Sequence, residues 1–101
     1  MLIFQLTKAL PREYKFTNGE KIKNEALELL MCIYEASKQS NAEKSRSIEI
    51  ARKHLEMIRV MTRVFKDLNI WGVNSVVQVN LKIESVSKQL SSWAAHVARV
   101  Q

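Results

Sequence analysis

The apolar residues between position 76 and the C-terminal end of the chain recur at alternating steps of three and four positions. Only an α-helix keeps such a series on one stripe of its surface, and the stripe is longer than an ordinary strand. Its members are Val76, Val79, Ile83, Val86, Leu90, Trp93, Val97 and Val100. The pattern predicts a helix over 74–99, which follows a break at Trp71-Gly72 and is capped by Asn74 or Ser75.

The remaining composition favours the same class of fold. With two glycines and one proline in 101 residues, the chain has too few turn-forming residues for a many-stranded β fold. Its hydrophobic content of 47% is too high for a disordered chain. A chain of this length can bury one modest core. We therefore predict a single all-α domain over 1–101, a helical bundle.

Three further helices are predicted upstream. Residues 1–10 form a short amphipathic helix that Pro11 ends, and this helix needs a neighbouring helix or subunit to be stable. The second helix begins at a capping box, Thr17-Asn18-Gly19-Glu20, and ends near Lys38. The third helix spans 43–69, and Gln39-Ser40-Asn41 connects it to the second.

The third helix carries two adjoining apolar seams. The first contains Ile48, Ala51, Leu55, Ile58, Thr62 and Phe65, and the second contains Ile50, His54, Met57, Met61, Val64 and Leu68. Two seams predict a helix that is covered on two sides, by the bundle or by a second subunit.

Positive charge is the strongest functional signal in the sequence. The net charge is +6 and the pI is near 9.7, and the excess of Lys and Arg avoids the second helix. On the third helix the spacing aligns four cations as one basic ridge: Arg52, Arg59, Arg63 and Lys66. Guanidinium groups bind phosphates and carboxylates through two parallel hydrogen bonds. The ridge therefore indicates binding of a polyanion or of an acidic protein.

Two observations favour different interpretations of the ridge. The last helix adds Lys82, Lys88 and Arg99, with Glu84 as its only acid, which favours a binding surface. Acids of the third helix also lie at pairing distance from its cations, as in an ordinary solvated helix. The pairs expected on that interpretation are Glu49 with Lys53, Glu56 with Arg52 or Arg59, and Asp67 with Arg63.

Residues suited to catalysis are sparse. His54 and His96 lie on different helices without Cys, Asp or Glu at metal-ligand spacing, so no metal and no cofactor is predicted. No phosphate loop, nucleophile elbow or pair of catalytic carboxylates occurs in the sequence. We therefore predict that the protein is not an enzyme. Trp93 is predicted to be a core residue, whereas Trp71 can either fill the bundle or stack on a base.

The cellular setting is predicted from the single cysteine and from hydropathy. Cys32 lies among apolar residues and is expected in the core, and a chain with one cysteine has no internal disulfide. No segment has the length of a signal peptide core or of a membrane span. We expect a cytoplasmic protein that does not enter the membrane.

Three stretches of the sequence resemble a known family. They are Leu10-Pro11-Arg12-Glu13-Tyr14-Lys15-Phe16, the Ile-Arg-x-x-x-Arg-x-x-Lys-Asp-Leu run within 55–68, and Lys88-Gln89-Leu90-Ser91-Ser92-Trp93. In this order they resemble the four-helix-bundle proteins that include those encoded in intervening sequences of ribosomal RNA genes. Within that family the chain is more similar to the Avd branch, the accessory variability determinant of diversity-generating retroelements.

The resemblance implies a non-enzymatic protein, an up-down four-helix bundle that assembles into a homopentameric ring with a basic surface. It also implies that this ring engages a reverse transcriptase and the template-repeat RNA, with DNA as a further polyanion, during mutagenic cDNA synthesis. Arg59 and Arg63 match the arginines that the family uses for this engagement, and Arg12 and Lys15 fall in its basic stretch before the second helix. The first helix is shorter than is usual for the family.

Three other functions fit parts of the sequence. The first is an oligomeric helical scaffold whose arginines bind acids of a protein partner, without a nucleic-acid role. The second is a small helical enzyme built around His54 or His96. The third is a membrane-surface role for 1–10, for which one short, weakly basic helix is a poor anchor.

Overall fold

The computed structural model describes residues 2–8 and 17–100, which form four α-helices and no strand. Helix α1 spans Leu2–Lys8, α2 spans Asn18–Lys38, α3 spans Asn41–Asp67 and α4 spans Val73–Val100. This confirms the all-α prediction of a helical bundle with a short first helix. The bundle measures 47 by 22 by 18 Å.

Helix α3 is the central element of the bundle. It packs against α2 on one side and α4 on the other, while α1 packs on α2 and α4. The two-residue link between α2 and α3 is too short for any arrangement but an antiparallel pair. Gln39 in this link accepts a hydrogen bond from the hydroxyl of Ser47, which ties the link to the first turns of α3.

The core is formed by the stripes that the sequence predicts. All six residues of the first α3 seam are buried. From α4 the core receives Val76, Val79, Ile83, Leu90 and Val97, while Val86 and Trp93 are half-buried against it. Helix α2 contributes Ile22, Ala26, Leu29 and Ala36. The prediction that Trp93 packs in the bundle is thus confirmed, with its ring half-buried.

The C-terminal end of α3 is a Schellman motif. Asn69 has a φ of 57°, the left-handed conformation that Asn tolerates better than most residues. Its amide donates to the carbonyl of Lys66, and the amide of Ile70 donates to the carbonyl of Phe65. The helix therefore ends at Asp67, two residues before the predicted end, because the left-handed residue reverses the chain.

The predicted side-chain caps are wrong. The Thr17 hydroxyl donates to Asn18 Oδ1 and makes no cap hydrogen bond to a helix amide, and Glu20 pairs with Lys23. Helix α4 begins at Val73, before Asn74 and Ser75, and the carbonyl of Gly72 accepts the Val76 amide. Helix α3 likewise starts at Asn41, two residues before the predicted start.

Phe65 and Trp71 close the end of the bundle where α3 turns into α4. Their ring centroids are 4.7 Å apart with an interplanar angle of 72°, an edge-to-face arrangement. Both residues are buried, and the Trp71 indole nitrogen has no hydrogen-bond partner within the described part of the chain. Trp71 is therefore a bundle filler and not an exposed stacking platform.

Replacing Phe65 by alanine should lower the free energy of unfolding by about 3 to 5 kcal/mol, because Phe65 is only 1% exposed and its removal leaves a cavity beside Trp71. Urea denaturation followed by circular dichroism measures the change. Tyr34→Ala is the control, since Tyr34 is 61% exposed and its removal should cost much less. Equal costs for the two variants would contradict this packing.

Candidate interaction surface

The basic ridge lies along the edge of α3 that faces α4. Arg52, Arg59, Arg63 and Lys66 follow one another at intervals of seven, four and three residues, which returns each to the same side of the helix. The Arg52 and Arg59 guanidinium groups both reach side chains of α4. The structure therefore places the ridge beside the interface between α3 and α4, the two longest helices.

Arg59 is held by carboxylates from two helices. Its Nε donates to Glu56 Oε1 at 3.2 Å, and its Nη1 donates to Oε1 of Glu84 on α4. The hydrogen bond to Glu84 raises the pKa of Arg59; partial burial opposes this, and the charges of both carboxylates reinforce it. The side chain is still 36% exposed, so the pair lies at the surface. Arg59 is cationic at every accessible pH and bridges α3 to α4.

Arg52 also bridges α3 to α4, but its partner on α4 is a neutral hydroxyl. Its Nη1 lies 3.0 Å from Glu49 Oε1, and its Nη2 donates to the Ser91 hydroxyl at 3.3 Å. Glu49 thus pairs with Arg52, so the predicted pair of Glu49 with Lys53 is wrong, whereas the predicted pair of Glu56 with Arg59 is present. Exposed pairs of this kind contribute about 0 to 1 kcal/mol each.

Arg63 and Lys66 differ from the other two cations of the ridge. Both are exposed, and neither has a hydrogen bond or an ion pair within residues 2–8 and 17–100. The expected pair of Asp67 with Arg63 is not formed. Two charges at the C-terminal end of the ridge are therefore available to an external partner.

The three cations of α4 do not lie together. Lys88 is one turn from Glu84 on the same face of α4, beside the ridge. Arg99 lies in the last turn and is exposed. Lys82 lines a largely apolar cavity of about 360 Å³ that is lined by residues of all four helices, with Leu30 and Val86 among its neighbours. Arg12 and Lys15 lie outside the described residues.

The two histidines lie on different helices and in different surroundings. His54 Nδ1 lies 2.7 Å from Glu25 Oε2, an interaction that joins α3 to α2 at a half-buried position. His96 is exposed on α4. Within the described ranges no group of three or more His, Cys, Asp or Glu side chains could hold a metal ion. A satisfied structural histidine is the interpretation that the His54 contact supports.

Exposed apolar side chains form a feature that the sequence interpretation only partly anticipated. The second α3 seam is only partly covered by this chain: Ile50, Met57, Val64 and Leu68 are exposed, while His54 and Met61 are half-buried. Outside this seam, the described part of the chain exposes eight further large apolar residues: Leu27, Leu30, Met31 and Tyr34 on α2, Val60 on α3, and Val73, Val77 and Leu81 on α4. The four-residue spacing of the α4 group was the signal that could have revealed an exposed row. Extensive exposed apolar surface is typical of protein contact sites.

Cys32 is half-buried on α2 and packs against the core, in partial agreement with its predicted core position. Burial raises the pKa of the thiol, and the negative charges of Glu35 and Glu28 raise it further. Because the thiolate is the reactive form, these effects lower the reactivity of Cys32 near neutral pH.

Iodoacetamide should therefore alkylate Cys32 several-fold more slowly in the folded protein than in the urea-unfolded chain at pH 8. Glu35→Gln should speed the folded-state reaction, because it removes a charge that raises the thiol pKa. Mass spectrometry of timed samples measures both rates. Lys21→Gln serves as a control that leaves the surroundings of Cys32 unchanged, and a folded rate equal to the unfolded rate would refute the assignment.

Comparison with known proteins assigns the bundle to a class. A family model described as bAvd-like matches residues 1–97, nearly the whole chain. No curated protein and no solved structure matches. Among the described helices none is long and apolar enough to span a bilayer. The protein is a small helical bundle with a basic surface ridge. It belongs to the bAvd-like family, in agreement with the resemblance to Avd proteins of diversity-generating retroelements.

Proposed function

We propose that the protein is a non-enzymatic accessory protein of a diversity-generating retroelement. It binds the reverse transcriptase and the template-repeat RNA, with DNA as a further polyanion, and so supports mutagenic cDNA synthesis in the cytoplasm. Membership of the bAvd-like family supports this role. The observation that carries it is that Arg63 and Lys66, at the end of the ridge, are exposed and have no acid partner within the described residues.

Phosphate recognition fits these two residues best. A cation that binds no acid of its own chain breaks no existing ion pair when it binds a phosphate. Each phosphate that is neutralised in this way releases condensed counterions from the nucleic acid, so affinity decreases as salt increases. Arg52, Arg59 and Lys88 border the same surface, while Lys82 and Arg99 extend the positive charge elsewhere on the bundle.

Replacing both Arg63 and Lys66 by alanine should weaken binding of a single-stranded RNA. It should also reduce the slope of log affinity against log salt by roughly 0.7 for each phosphate that the variant no longer neutralises. Fluorescence anisotropy over a salt series measures both quantities. Alanine is a good helix former, so circular dichroism should remain unchanged.

The matched control replaces Lys21 and Lys38, two exposed cations of α2, by alanine. It removes the same net charge from a helix that does not form the ridge. If both double variants lose affinity equally, the protein binds RNA through net charge alone and the assigned surface is wrong. If the folded wild-type protein does not bind RNA at low salt, the RNA-binding part of the proposal is wrong.

Self-assembly into a homopentamer is the second part of the proposal. The exposed apolar residues of α2, α3 and α4 support it, because burial between copies removes them from water. Native mass spectrometry should give five times the 11.7 kDa mass of one chain. The assembly should persist at high salt, where RNA binding is lost, since apolar contacts are not screened. A single-chain mass at micromolar concentration would contradict assembly.

An oligomeric scaffold that binds only a protein partner is the alternative function. The exposed row of Val73, Val77 and Leu81 favours it, because aliphatic side chains bind apolar protein surface and do not stack on bases. Under this alternative, filter binding at two salt concentrations retains no RNA at either one. Retention at low salt that disappears at high salt supports the nucleic-acid role instead.

A further inference from the structure

Glu84 lies at the interface between α3 and α4. It is the only acidic residue of Val73–Val100, and its Oε1 accepts a hydrogen bond from Arg59 Nη1. The neighbouring contact across the same interface is neutral, because α4 offers Arg52 the hydroxyl of Ser91. Among the side chains of α4 that reach the ridge in the described part of the chain, Glu84 alone brings a negative charge.

We infer that Glu84 sets the affinity of the ridge for nucleic acid by competing with backbone phosphate for the Arg59 guanidinium. This inference rests on the proposed RNA-binding function and identifies a residue that tunes it. Carboxylates and phosphates accept hydrogen bonds from the same planar fork of N–H donors, so one anion replaces the other without a change in the arginine.

The surface position of the pair makes this exchange feasible. The Arg59 side chain is 36% exposed and the Glu84 side chain is 54% exposed, so water screens their attraction and their separation costs little stability. Glu56, the second partner of Arg59, comes from α3 itself and is also exposed. The Arg59 guanidinium is thus already oriented towards α4, and the ion pairs that hold it there are weak enough for a phosphate to replace them.

Because Arg59 lies within the ridge, competition between Glu84 and phosphate for Arg59 affects the affinity of the ridge for nucleic acid. Arg59 lies one turn before Arg63, which has no acid partner within the described residues. Phosphates that reach Arg63 therefore pass close to Arg59. When Glu84 holds Arg59, this guanidinium is not offered to a phosphate, and the affinity of the ridge for nucleic acid is lower than its charge allows.

Glu84→Gln keeps the size of the side chain and removes its charge, and Gln is a good helix former. The variant should bind a single-stranded RNA oligonucleotide roughly two- to fivefold more tightly than wild type, the range expected for release of one exposed ion pair. Its slope of log affinity against log salt should be steeper by roughly 0.7, the value for one additional neutralised phosphate.

Glu28→Gln is the matched control. It makes the same charge change at an exposed position of α2 with no arginine partner in the described part of the chain. Combining Glu84→Gln with Arg59→Ala completes a double-mutant cycle, in which the higher affinity from Glu84→Gln should disappear if it acts through Arg59. Thermal unfolding of each variant verifies that the bundle remains folded.

The outcomes separate this inference from the proposed function. RNA binding by wild type with equal affinities for Glu84→Gln and Glu28→Gln would overturn the role of Glu84 and leave the RNA-binding function intact. A higher affinity that persists in the Arg59→Ala background would also overturn it, because the effect would then come from net charge. No RNA binding by wild type or by Glu84→Gln would reject the RNA-binding function and this inference together.

Discussion

Burial of the first α3 seam is the constraint on which the rest of the structure depends. Its six residues lie between α2 and α4, the two helices that pack against α3. Because α2 and α4 both pack on α3, the core is continuous only when this seam excludes water. The apolar area that α3 removes from water on both sides supplies the main driving force for the fold.

The same geometry determines where the cations of α3 are placed. The ridge runs along the border of the buried seam, so its long side chains reach α4 from Arg52 and Arg59. Towards the C-terminal end of α3 the facing residues of α4 are apolar or neutral, and Arg63 and Lys66 have no acid to bind in the described part of the chain. One row of cations is thus divided into a bridging half and an exposed half, and the exposed half carries the proposed RNA contact.

The short first helix affects the packing of the bundle. Leu2–Lys8 is far shorter than the other three helices, and the cavity that Lys82 lines is bordered by residues of all four helices. Apolar side chains also remain exposed on all three long helices. A bundle with this much uncovered apolar surface is stabilised when it associates with other protein surface, which agrees with the proposed homo-oligomer.

Amphipathic periodicity by itself determined the helices and the core. The stripe of α4 from Val76 to Val97 and the first seam of α3 were predictable residue by residue, because a helix with one apolar face has only one way to bury it. The family resemblance and the alignment of the basic ridge were also contained in the sequence. Helix ends were predicted less well, since the left-handed Asn69 and the uncapped start at Asn18 depend on local backbone geometry.

Tertiary structure alone decided which cations of the ridge are paired across helices and which apolar seam is covered. The contact of Arg59 with Glu84 joins residues 25 positions apart and depends on how α3 and α4 align, which no local spacing specifies. The second α3 seam is also largely apolar, yet four of its six residues are exposed because α2 and α4 pack mainly on the other faces of the helix. Periodicity identifies an apolar face, but only the packing of the other helices determines whether that face meets its own chain or a partner.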